Sequence, residues 1–140
     1  MTIEARPYGS DTSPSERSEL RERVWKLEDG LLMWAEVPVQ TPFSLDVMFD
    51  RLEELAAGLD RFAYVVDLSG VKRPDARVRE KLRERVAQIN PRLEHAALVV
   101  GSNAVIRAVA KLAAFSLGFR SFSFHNSVDQ AVEACRRALR

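Results

Sequence analysis

"VVDLSGVKRPDARVREKL", residues 65–82, decides how the rest of the chain is read. Two valines lead into an Asp, Leu-Ser-Gly-Val turns the chain, and a Pro-Asp pair opens a basic stretch. The run "FAYVVDLS" (62–69) is apolar at consecutive positions, so both faces of a strand there would be apolar. That is the pattern of a strand buried within a parallel sheet. Val78, Leu82, Val86 and Ile89 then recur at helical spacing and form one apolar stripe. Pro74 fits the first turn of that helix, where its missing N–H would have no partner anyway. The stretch therefore reads as strand, tight turn and helix.

Working outward, "RVWKLEDGLLMWAEV" (23–37) holds two β-rich runs around Asp29-Gly30. Asp-Gly suits the positive φ angles of a type I′ hairpin turn. Pro38 and Pro42 end the pairing, and Ser44 is a fitting cap for a helix over 44–59. That helix is apolar at Leu45, Met48, Phe49, Leu52, Leu55 and Leu59. Asp46, Asp50, Glu53 and Glu54 are expected on its outer face, with Arg51 the one cation among them. On the other side, "HAALVVG" (95–101) is a second buried strand. Ser102 or Asn103 caps "AVIRAVAKLAAFSLG" (104–118), and Gly118 offers a left-handed stop. "SFSFH" (121–125) is a short last strand. The closing helix opens on Ser127 and Gln130, a capping-box pattern, and ends in Arg136, Arg137 and Arg140, which suit the negative end of its dipole.

The order is β-β-α-β-α-β-α-β-α. It predicts an α/β domain with an antiparallel hairpin at the edge of a mixed sheet and parallel strands after it. A chain of 140 residues suits one domain, with 46% hydrophobic residues to build a core. Residues 1–18, rich in Ser, Thr, Pro and charge, read as a flexible arm, and 19–140 as the domain. The 21 Lys and Arg nearly cancel the 20 Asp and Glu, which argues against general affinity for nucleic acid. A single Cys135 excludes an internal disulfide and a cysteine metal cluster. No secretory core opens the sequence and no apolar run is long enough to span a bilayer, so a cytoplasmic protein is expected.

This order, with Asp67-Leu68-Ser69-Gly70-Val71 ending its central strand, resembles the STAS fold of the SpoIIAA-like anti-sigma-factor antagonists. Those proteins follow Asp-Leu-Ser-Gly-Val with a few linking residues and then Asp-Ser-Ser-Gly, whose first Ser is phosphorylated. Here Lys72, Arg73 and Pro74 fill the link, and Asp75 falls on the second Asp. The phosphoacceptor position is Ala76, followed by Arg77 and Val78. The resemblance covers roughly residues 22–140 and implies the fold without the serine switch. It points to the divergent STAS/Sec14-like branch that lacks the serine. A regulatory or interaction domain is what it implies, with the loop and the helix after it as the usual partner surface.

At the carboxyl ends of the strands, where open α/β sheets bind ligands, gather Asp67, Ser69, Ser102, Asn103 and His125. They permit a hydrolase reading, but no Gly-x-Ser-x-Gly elbow surrounds Ser102, and turn and cap bonds explain Asp67, Ser69 and Ser102 as well. His95 begins one strand and His125 ends another, which sets them at opposite ends of a parallel sheet and argues against a shared metal. No phosphate-binding glycine loop is present, and no cofactor is expected. Lys72, Arg73, Arg77, Arg79, Lys81, Arg83, Arg85 and Arg92 crowd one region against Asp75, Glu80 and Glu84. They suggest either a solvated face or a protein partner with an acidic surface. The helix over 103–117 has only Arg107 and Lys111 as charges, so its broad apolar surface suggests core, a homodimer contact, or the site of a lipid or other apolar small molecule. The leading expectation is non-enzymatic recognition of a protein or small ligand. Apolar-ligand binding and a small hydrolase are the alternatives.

Overall fold

The computed structural model describes residues 8–71, 74–101 and 104–140. Along the chain run α1 (Pro14–Glu22), β1 (Val24–Glu28), β2 (Leu31–Ala35), α2 (Pro42–Leu55), β3 (Phe62–Asp67), α3 (Ala76–Ile89), β4 (Leu93–Val99), α4 (Ala104–Ser116), β5 (Phe122–His125) and α5 (Val128–Leu139). The five strands form one sheet in the order β1-β2-β3-β4-β5, antiparallel between β1 and β2 and parallel elsewhere. The expected α/β class and mixed sheet are therefore present.

Period-two alternation sorts the sheet residues between two faces. Leu32, Trp34, Phe62, Tyr64, Val66, Ala96 and Leu98 join the larger core with residues of α2, α3 and α4. Leu31, Met33, Ala63, Val65, Ala97 and Val99 pack with Ala131 and Cys135 of α5 on the other face. Trp34, Phe49 and Phe62 are among the largest fully buried side chains. Each contributes about 1.5–3 kcal/mol through burial alone. Trp34 lies 4.6 Å from Phe49 between ring centroids with the rings tilted by 60°, so β2 and α2 meet through an aromatic pair.

Several local expectations are corrected. The segment read as an arm contains the start of α1, an extra helix before the first strand. Its signal is a capping box: Ser13 accepts the Glu16 N–H while Glu16 accepts the Ser13 N–H. Leu20 of α1 is fully buried. The hairpin turn is not type I′, since Gly30 has φ 77° but no non-glycine residue among those described has positive φ. The register slips between Lys26 and Glu28, so a bulge takes up the twist that the turn does not supply. α2 is capped by Thr41 rather than Ser44, with Pro42 in its first turn and Ser44 returning the bond to the Thr41 N–H at 2.9 Å. α3 is capped by Asp75, which accepts the Val78 N–H at 2.9 Å, so Pro74 stands before the cap rather than inside the helix. Gly118, at φ 87°, supplies the left-handed residue just beyond α4. Ser127 caps α5 as expected, although Gln130 reaches the Asn126 N–H instead of closing the box on Ser127. No helix among the described residues is long and apolar enough to cross a membrane.

Candidate functional site

The loop after β3 is held by its own side chains. Asp67 accepts the Ser69 N–H at 3.0 Å and also the Ser69 hydroxyl, which is an Asx turn. Gly70 follows at φ 77°, a conformation other residues rarely adopt. Bent this way, the loop places Leu68, Val71 and Pro74 along one wall of a cavity of about 370 Å³. Leu82 of α3 continues that wall. Trp34, Tyr64, Val66 and Leu98 form the sheet side. Ala110, Ala113 and Ala114 of α4, with Leu117 and Phe119 just beyond it, form the opposite side.

Alanine explains why the space is there. Ala110, Ala113 and Ala114 each bring only a methyl group to this wall, and larger side chains at these positions would close the gap. Phe115, the large aromatic of α4, points away and is 80% exposed. A cavity of this size lies within the range of small-molecule sites, which are mostly apolar with a few placed polar groups.

The polar groups of this cavity are few. Glu36 is almost wholly buried at its edge, with Gln40 nearby. One carboxyl oxygen accepts the Trp34 indole N–H at 2.8 Å and the other accepts the Val37 N–H at 3.0 Å. Burial pushes the Glu36 carboxyl above its usual range, against the pull of hydrogen bonds from Gln40, Trp34 and the Val37 amide and of the charge of Arg23. Tyr64 is also buried, which raises its phenol strongly, with the charge of Glu36 adding to the effect. Among the described residues the Tyr64 hydroxyl has no hydrogen-bond partner.

Of the residues singled out from the sequence, only some are among those described. Arg73, Ser102 and Asn103 lie outside the described residues. Asp67 and Ser69 serve the turn. Asp75 and Arg77 border a second hollow of about 470 Å³ with Tyr8, Thr41 and Phe43. Ala76, the first residue of α3, is exposed and has no hydroxyl. Arg107 donates to Asn126 Oδ1 at 3.0 Å and to the Phe124 carbonyl at 3.4 Å, tying α4 to the end of β5, while Lys111 is exposed.

His95 and His125 are not separated as their strand positions suggest. Ser123 lies between them, 2.7 Å from His95 Nε2 and 2.6 Å from His125 Nε2, and Ser121 sits 2.7 Å from His95 Nδ1. Both imidazoles are lowered from their usual pKa, chiefly by burial. Among the described residues no group of three or more His, Cys, Asp or Glu could hold a metal ion. Cys135 packs under the sheet with its thiol pushed up to about 12 by burial, which leaves little thiolate at neutral pH.

The basic crowd is in good part compensated inside the molecule. Arg85 of α3 is buried and reaches Asp46 at 3.0 Å, Asp50 at 2.9 Å and Glu53 at 3.0 Å, all on α2. Lys81 reaches Asp46 at 3.3 Å. Of the four acidic positions expected on an outer face of α2, Asp46, Asp50 and Glu53 thus face the basic helix, while Glu54 pairs with Arg21 of α1 at 2.7 Å. Arg92 donates to the carbonyls of Ala56 and Leu59. Arg77 and Arg79 are exposed and make no ion pair among the described residues.

Compared with known proteins, the chain matches no family model and no curated sequence.

Proposed function

We propose that this chain is a non-enzymatic STAS-like recognition domain whose ligand is an apolar small molecule held between α4 and the sheet. The observation that carries this reading is the cavity of about 370 Å³ walled by the post-β3 loop, the sheet and the alanine face of α4. STAS-like character is supported by the strand order and by Asp67-Leu68-Ser69-Gly70-Val71 at the end of the central strand. With Ala76 at the acceptor position, regulation by a phosphoserine there is not part of the proposal. Binding of a protein with an acidic surface is less favoured, because Arg85 and Lys81 already have carboxylates on α2.

The test uses the neutral fluorophore N-phenyl-1-naphthylamine with the native chain and with Ala113→Phe, which fills the cavity from α4. The native chain should bind one fluorophore saturably with a large gain in emission. Ala113→Phe should keep its circular dichroism and lose most of that gain. Equal binding by both folded proteins, or no saturable binding by the native chain, would overturn the reading.

A further inference from the structure

An apolar pocket with a buried acid and an unbonded phenol is chemically particular. Tyr64 is only 2% exposed, lines the cavity, and has no hydrogen-bond partner for its hydroxyl among the described residues. A hydroxyl with no protein partner on a cavity wall is open to a hydrogen bond from a ligand atom. Glu36 lines the same cavity. Its carboxyl accepts hydrogen bonds from Trp34, the Val37 amide and the Gln40 side chain, which leaves part of its acceptor capacity unused. The cavity therefore offers one free O–H donor and spare carboxyl acceptors, surrounded by hydrocarbon.

We propose that the cavity selects an apolar molecule bearing one neutral hydroxyl, which accepts from Tyr64 and donates to Glu36. This rests on the reading of the cavity as a ligand site and names the head group that site prefers. A hydroxyl is donor and acceptor at once, and so satisfies both residues together. A carboxylate head would bring a second negative charge beside Glu36 and could not donate. An ammonium head could only donate, which leaves the Tyr64 O–H without an acceptor, and burying its charge is costly. At about 30 Å³ per water-sized group, the volume suits about twelve such groups, so a ten-carbon alcohol is an apt probe.

The experiment displaces N-phenyl-1-naphthylamine with 1-decanol, decanoate and decylammonium, using the native chain, Tyr64→Phe and Glu36→Gln. For the native chain, 1-decanol should displace the fluorophore at about tenfold lower concentration than either charged analogue. Tyr64→Phe, which keeps the ring, should weaken 1-decanol about fivefold once corrected for that variant's own fluorophore affinity, as expected for one hydrogen bond. Glu36→Gln, if folded by circular dichroism, should narrow the preference over decanoate. Tight decylammonium or decanoate binding, or equal 1-decanol affinity in native and Tyr64→Phe proteins, would overturn the head-group assignment while the cavity reading stands. Failure of the fluorophore itself to bind would overturn both.

Discussion

Glu36 shows how a single residue escapes a reading of the sequence. It follows the apolar run of β2 and precedes Pro38, so it reads as a polar residue ending a strand. The signal that could have found it is period two: Leu32 and Trp34 face the larger core, and two residues on, Glu36 falls on the same side. Tyr64 was legible as a core residue of a buried strand, but not as one whose hydroxyl lacks a partner, since that depends on where α4 stops short of the sheet. Burial of Glu36 gives a pH prediction. Its folded-state pKa is raised above the ordinary 4.5, so the folded chain binds the proton more tightly than the unfolded chain. The associated stability is fully present below pH about 4.5 and is lost as pH rises through the folded value. Relative to Glu36→Gln, the native chain should therefore lose stability in urea melts as pH is raised from 4.5, and the difference should then level off. A difference that is constant across this range, or that changes the other way, would contradict the burial of an ionisable Glu36.

Among the elements, α2 and α3 illustrate what charge counting leaves out. The sequence displays one acidic helix and one basic helix, and it suggested surfaces awaiting partners. In the fold the two pack side by side, and Arg85 takes three carboxylates from α2 at about hydrogen-bond length. It also lies 5.3 Å from the centre of the Phe49 ring, so it covers apolar surface as well as pairing charge. Arg85→Ala should lower unfolding free energy by about 1–3 kcal/mol in urea titrations, between the values of exposed and buried pairs, because the carboxylates are part-exposed and rehydrate. An unchanged midpoint and slope would show that α2 and α3 do not depend on this cluster. The caps were legible in kind but shifted in place. Thr41 does the capping expected of Ser44, and Pro74, expected in the first turn of α3, stands before the Asp75 cap. α1 hides in a Ser-, Pro- and charge-rich stretch that reads as a flexible arm, and its signal is the Ser13–Glu16 box alone.

For the whole molecule, the parallel core was legible because apolar strands alternate with amphipathic helices, and that pattern has few topological solutions. The cavity was not legible, because it arises from what separated parts of the chain fail to fill: Leu68, Val71 and Pro74, the sheet, and the alanines of α4. The sequence displays the apolar character of α4, but the choice between core, subunit contact and ligand site depends on the distance between that helix and the sheet. The central claim is that an apolar molecule occupies this space. The most direct test is the set of nuclear Overhauser contacts between bound 1-decanol and a chain labelled at its Leu, Val and Ala methyls. The account predicts contacts from the alkyl protons to methyls of Leu82, Leu98, Val100, Ala110 and Ala113, on both sides of the cavity. Contacts confined to surface methyls such as that of Leu27, or no contacts under conditions where decanol is bound, would contradict it.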